Sequence, residues 1–197
     1  MDLSRLLALP LLLAAAAAGT GCVAFSGDTL EERRAYVREI RDEILVEAYE
    51  DDPSLRERVE EAPGYVAMNT GVIKILVPGI AKGFGVVVDN RTGKETFLSN
   101  WVILAGLGIE VCSRRGLVIL ETEEALRAVE EGGWDFGAEM SAGLKFGNFG
   151  GDLDTTSLGG DTEIIRYFQN GVSLHASLIW VHIGEYESLN RPADPGN

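Results

Sequence analysis

The chain is poor in the residues on which most enzymatic and metal chemistry depends. Among 197 residues there are two cysteines, Cys22 and Cys112, and two histidines, His175 and His182. If Cys22 is modified, Cys112 has no partner for an intrachain disulfide. If it is not, a Cys22–Cys112 bridge stays open. The histidines stand seven apart in a strand-like stretch, which puts them on opposite faces and prevents their sharing a metal. No Ser-His-Asp arrangement is suggested, and no metal or cofactor is expected. Basic residues are also scarce: 17 Lys and Arg against 31 Asp and Glu give a net charge of −14. That balance excludes nucleic acid as a partner, since phosphate neutralisation dominates such binding. It equally excludes a broad electrostatic attraction to anionic lipid, so any membrane contact must be local. Long apolar runs are absent except at the start, where Leu6 to Ala18 is unbroken but for one Pro. About 13 residues cannot cross a bilayer, which takes roughly 20.

That run, preceded by Asp2 and Arg5 and followed by Gly19-Thr20-Gly21-Cys22, has the layout of a secretory signal. A cysteine directly after small residues is what a bacterial lipoprotein signal requires, although Gly19 stands where Leu is usual. The expectation is cleavage before Cys22, with acyl chains such as palmitate on the new N-terminus; the alternative is an ordinary secreted protein cut nearby. Val23, rather than the Asp that retains many lipoproteins in the inner membrane, favours the periplasmic face of the outer membrane. Residues 1–21 are then signal, 22–28 a tether, 29–189 one domain and 190–197 a disordered tail. Residues 22–197 suffice for one domain with its own core.

Thr29 and Glu32 form a T-x-x-E capping box that predicts a helix to about Glu50. Ser54 with Glu57 predicts a second short helix, stopped at Pro63-Gly64. From Tyr65 the texture changes to β-branched runs broken by glycine, predicting strands at 65–69, 72–77, 84–89, 95–98, 101–105, 107–111 and 116–120. Thr122 opens a helix to about Glu131. Strands resume at 135–147, 163–169 and 172–183, around a Gly/Asp-rich loop at 148–162. The expected class is α+β: a glycine-rich, mainly antiparallel sheet or barrel-like core, an N-terminal amphipathic helix and one or two further short helices.

On that first helix Leu30, Val37, Ile40 and Ile44 make an apolar stripe, with Arg33, Arg34, Arg38 and Arg41 on or beside it. Arginines there can bury their stems and keep their heads at phosphate level, as an interfacial helix requires. The competing reading packs the helix on the sheet and pairs the arginines with acids of the domain. Gly83-Phe84-Gly85 and Gly106-Leu107-Gly108 complete no nucleotide-binding pattern and read as close-packed bends. Loop 150–163 could offer carboxylates to Ca²⁺ but fails the EF-hand pattern. Arg114 and Arg115 could lower the pKa of Cys112, although a structural cysteine fits better.

Glu61-Ala62-Pro63-Gly64-Tyr65-Val66-Ala67, Val77 to Gly85, Trp101 to Gly108, Thr122 to Glu139 and Gly171-Val172-Ser173-Leu174 fall in an order that resembles the SYLF domain. This lipid-binding module occurs in eukaryotic membrane-trafficking and actin-regulating proteins and in bacterial lipoproteins. Val77-Pro78-Gly79-Ile80-Ala81-Lys82-Gly83-Phe84-Gly85 resembles its "PxVxKxGFGxG" segment. The glycine- and arginine-rich loop that usually follows is replaced by Val86 to Gly93. The resemblance spans roughly residues 30–185. It implies non-catalytic lipid binding, with Arg33, Arg34, Arg38, Arg41 and Lys82 as candidate headgroup contacts and the helix implicated in membrane contact. An interaction protein docking an envelope partner through its sheet is the alternative; an enzyme using Cys112 or the carboxylates is a weaker third. From Cys22 to Thr29 an extended chain reaches only about 23–25 Å, so a lipid anchor would hold the domain near headgroups.

Overall fold

Thr29 starts the first helix, α1 (Leu30–Asp51), as its sequence requires. Its Oγ1 accepts from the Glu32 amide at 3.2 Å, and the Glu32 carboxylate accepts from the Thr29 and Asp28 amides at 3.0 and 2.8 Å. Those amides hold the Glu32 carboxyl below its usual range. The computed structural model describes residues 26–76, 79–131, 134–146, 149–155 and 162–192. The proposed signal, Cys22 and residues 23–25 of the tether lie outside the described residues, as do 156–161 of the loop and 193–197 of the tail.

A second helix, α2 (Leu55–Glu61), follows, but Ser54 does not cap it with its side chain. Instead Asp52 accepts from the Ser54 amide and hydroxyl at 2.9 and 2.7 Å, closing the turn between the helices. Strands β1 (Gly64–Ile75), β2 (Gly79–Asp89) and β3 (Glu95–Leu120) come next, then α3 (Glu123–Glu130), β4 (Trp134–Phe146), β5 (Phe149–Thr155), β6 (Thr162–Glu185) and α4 (Glu187–Asn190). Thr122 caps α3 as expected, accepting from the Ala125 amide at 3.2 Å. The class is α+β, with one antiparallel sheet ordered β1-β2-β3-β6-β4-β5 and an added β1–β3 pairing.

The strands are longer than glycine punctuation suggests. Four predicted strands are all segments of β3, because polar residues at the expected breaks bond within the sheet: Asn100 Nδ2 donates to Thr70 Oγ1 at 2.7 Å, and Ser113 Oγ to Asn69 Oδ1 at 3.1 Å. The early part of β3 pairs antiparallel with β2 (Val88↔Glu95 to Gly79↔Leu104), its later part antiparallel with β1 (Ile75↔Ile109 to Gly64↔Leu120). Since β1 and β2 are themselves antiparallel, β3 must reverse as it rounds the tip of their hairpin. Gly106 and Gly108, at φ of 154° and 144°, make that reversal. Strand β6 follows β3 along its other edge, and β5 emerges from residues expected to be loop.

Between base and tip the sheet approaches itself closely. A Cβ on Gly85 would strike the Ala67 carbonyl oxygen and Met68 Sδ, so this position of the glycine-rich segment is structural.

The base of the sheet is covered on both faces. On the first face Tyr65, Ala67, Phe84, Val86, Phe97, Leu117 and Ile119 pack under Val37, Ile40, Ile44 and Ala48 of α1, Leu55 and Val59 of α2, and Leu189 of α4. On the second face Val66, Met68, Val87, Leu98, Val118 and Leu120 pack with Leu126 and Val129 of α3. Each fully buried aliphatic or Phe side chain contributes about 1.5–3 kcal/mol. Asn190, placed at the start of the expected tail, is itself docked: its side chain donates to the Phe97 carbonyl at 2.8 Å and accepts from the Phe97 amide at 2.9 Å.

Candidate functional site

The helix is the first candidate, and its geometry is that of a clamp. Val37, Ile40 and Ile44 are buried in the core, and Leu30 packs partly buried against it. They therefore form no free membrane face in this fold, which corrects the expectation placed on them. The arginines point to protein partners. Arg38 Nε and Arg41 Nη1 both reach Glu95, at 2.7 and 2.5 Å. Arg34 bonds Glu31 and the Leu189 and Arg191 carbonyls, and Arg33 Nε the Gly27 carbonyl at 3.2 Å. Arg34 and Arg38 also lie over the Phe97 ring at 5.9 and 5.5 Å. Each arginine beside the stripe finds a nearby acceptor: Arg38 and Arg41 tie the helix to β3, Arg34 ties it to the C-terminal segment, and Arg33 holds the residues just before it.

What the sequence did not single out is the far end of the same sheet. Past the edge of α1 the first face continues as Ile73 and Ile75 on β1, Ile80 and Lys82 on β2, Trp101, Ile103, Leu107 and Ile109 on β3, and Trp180 on β6. Register makes it contiguous: Ile73↔Ile80, Ile80↔Ile103 and Ile103↔Trp180 lie in one row across four strands. Every one of these side chains is exposed, from 40% for Ile73 to 73% for Leu107. With Leu76 they account for nine of the ten large apolar side chains that are exposed among the described residues. Monomeric soluble proteins rarely leave such a patch bare without a use for it.

The second face of this tip holds the opposite chemistry. Lys74 and Glu110, register partners on β1 and β3, are both fully buried. Arg114 Nη2 meets Glu110 at 2.5 Å, and the Cys112 thiol donates to the same carboxylate at 3.4 Å. Val72, Ala81, Val102 and Leu104 surround the group. Burial lowers the pKa of Lys74, partly offset by Glu110. Alternation in Ile73-Lys74-Ile75 suggests lysine outward and isoleucines inward, the pattern of a water-facing sheet. The structure inverts it. Apolar-out and polar-in is the arrangement of strands that face lipid.

Two details sharpen the tip. Leu76 adopts φ of 68°, a left-handed conformation costly for a bulky side chain, while 65% exposed; its amide donates to the Gly108 carbonyl at 2.8 Å. Lys82 is exposed, with Nζ 3.7 Å from the centroid of the Trp101 ring. This is the one proposed headgroup contact that lies on the apolar face.

The remaining candidates offer little chemistry. Burial, joined by the Glu110 carboxylate, pushes the Cys112 thiol up to about 12 against the opposing pull of Arg114. No net lowering by the neighbouring arginines results, because Arg115 turns to Glu43 and Glu47 of α1 and burial outweighs Arg114, in keeping with a structural cysteine. In β6 the backbone of His175 pairs with Gly108 and that of His182 with Trp101. No group of three or more metal-ligating side chains occurs among the described residues. The stretch 150–163, weighed as a source of carboxylates for Ca²⁺, is divided among β5, the start of β6 and residues outside the described set.

No family model matches the chain. Its sequence is similar to Beta cell expansion factor A of Aeromonas veronii, at 23% identity over 150 residues that cover 76% of this chain. They cover 56% of that protein, so the chain spans little more than half the length of the curated relative it matches.

Proposed function

We propose that this is a non-catalytic lipoprotein with a SYLF-like domain that binds lipid at a membrane surface, anchored through acylated Cys22 on the periplasmic face of the outer membrane. The observation that carries the reading is the inverted tip, with isoleucines, leucines and tryptophans outside and Lys74, Glu110 and Arg114 inside. The likeness to the Aeromonas protein, a SYLF-domain protein, over 76% of this chain supports the SYLF part of the reading. In this reading the lipid-contacting element is the sheet tip, not helix α1. Trp101 and Trp180 sit at its margin, where aromatic side chains suit the headgroup boundary. From Trp101 to Leu107 an extended strand rises about 20 Å. That is short of the ~30 Å hydrocarbon core, so the tip inserts without crossing. No covalent step is involved, consistent with a buried Cys112 thiol whose pKa is raised.

The test is flotation of unacylated chain 23–197 with phospholipid vesicles, beside an Ile103→Glu/Leu107→Glu variant. Both positions are exposed, so folding should persist by circular dichroism. The native chain should float and the variant remain in solution. Equal flotation of the two would remove the tip from the reading, and no flotation by either would favour the alternative, a protein partner seated on this face.

A further inference from the structure

Nine of the ten large apolar side chains exposed among the described residues sit at one end of the sheet. Between Thr70 and Gly83, and again between Asn100 and Arg114, every described side chain that is exposed is isoleucine, leucine or tryptophan, with Lys82 as the one exception. Side chains of this size present roughly 200 Å² each when fully exposed, so nine at about half exposure offer ~900 Å². The largest apolar patch of a typical monomer is about 300–600 Å². A stable interface takes about 800 Å² from each partner. This patch is of the second size.

Charge decides how two copies can meet. At −14 each, they repel wherever their acids come close. The exposed acids of the helices, such as Glu39, Asp42, Glu43 and Glu50 on α1 and Glu124 on α3, belong to the base. From Tyr65, under α1, to Ile73 a strand rises about 26 Å. Charges farther apart than about 8 Å are screened at physiological salt. A tip-to-tip pair therefore keeps the two sets of helix acids well beyond screening range. Nearer the patch, Asp135 and Glu139 of β4 are the register partners of His182 and Ile179, which sets them beyond β6 at the rim. A polar rim is usual for an interface. Lys82, at the margin, is already seated on its own chain, with Nζ 3.7 Å from the centroid of the Trp101 ring.

We infer that the tip is a self-association surface: two copies pair tip to tip about a two-fold axis, with the Ile73, Ile80, Ile103 and Trp180 row of one against the same row of the other. A two-fold axis brings identical patches together, so a face with almost no charge pattern needs only shape and apolar area to match itself. Two such sheet faces pack about 10 Å apart, as in a sandwich core. Side chains already half covered by their own sheet leave a modest gain after the cost of association, a dissociation constant on the order of 10 μM. At submicromolar concentration the chain is then a monomer with a free tip. The inference goes beyond the membrane reading and does not depend on it. One face serves both, so the pair and the bilayer exclude each other.

Chain 23–197 holds every element described, and its one cysteine, Cys112, is buried and unreactive. Sedimentation equilibrium from about 1 to 100 μM should show monomer passing to dimer. Ile103→Glu/Leu107→Glu, folded by circular dichroism, should weaken association about a hundredfold or more, since each copy brings both charges into the apolar contact. A bismaleimide should join Ile103→Cys chains and not Glu57→Cys chains, whose site is exposed on α2 at the base. A native chain that stays monomeric throughout overturns the inference. Flotation of that monomer with phospholipid vesicles would make lipid the occupant of the tip, and failure to float would make it a different protein. A dimer that survives the double substitution, or that is joined through Glu57→Cys instead, puts the interface elsewhere and overturns the inference as well. A dimer lost in the double variant but never floating with vesicles upholds it and removes the membrane reading.

Discussion

Tyr65, Phe84 and Phe97 leave the sheet in the same direction as Ile73, Ile80 and Ile103, on the same three strands. The first three are buried at 8% exposure or less, the second three are 40–57% exposed. Residue type does not distinguish the two ends, since both are rich in large apolar side chains. Coverage distinguishes them: α1, fixed by Glu95 to Arg38 and Arg41 and by Arg115 to Glu43, lies over one end and not the other. An apolar face under a helix is a core, and the same face beyond it is exposed surface.

The comparison can be broken most sharply by truncation at each end. Phe84→Ala should cost about 3–5 kcal/mol, read as a lowered chemical-denaturation midpoint, because Phe84 packs against Tyr36 with centroids 5.7 Å apart and is fully buried. Ile103→Ala, its counterpart at the tip, should stay within about 0.5 kcal/mol. Comparable losses would mean that the tip is packed in solution and not free.

The interior of the tip is probed by pH. The folded state holds Cys112 protonated up to about 12, above the 9.0 of an ordinary thiol. Its contribution is therefore complete below pH 9 and is lost as pH rises from about 9 toward 12, where the unfolded chain ionises first. The slope is on the order of 1 kcal/mol per pH unit. Alkaline melting curves of the native chain should fall more steeply than those of Cys112→Ala. Parallel curves would place the thiol in contact with water.

The smallest effect concerns Leu76. Glycine tolerates its φ of 68°, so Leu76→Gly should leave stability unchanged or raise it by up to about 1 kcal/mol. Vesicle binding should weaken at the same time, as an exposed apolar side chain is lost. Opposite signs in the two measurements separate a residue kept for a surface role from one kept for folding; a loss in both would make it part of the core.

Much of the frame was legible. Thr29 with Glu32 and Thr122 with Ala125 are contacts three residues apart, and both caps form where local spacing puts them. The change to β-branched, glycine-punctuated texture at Tyr65 marks the sheet. Illegible were facts that depend on distant partners. Asn100 and Ser113 look like strand breaks until Thr70 and Asn69 lie opposite them. Asn190 looks like a tail until Phe97 offers its backbone. Lys74 looks like a solvent-facing lysine until Glu110 is placed across the ladder.

The sequence by itself determined the helix starts, the α+β class, the acid excess and an apolar stripe edged with arginines. Only the tertiary structure decided that the stripe belongs to the core and the sheet tip to the surface. Caps and periodicity are set by neighbours within a turn or a pleat. Whether an apolar face is buried is set by where a helix comes to rest on strands far along the chain, and there Glu95 captures Arg38 and Arg41 over the base and leaves the tip uncovered.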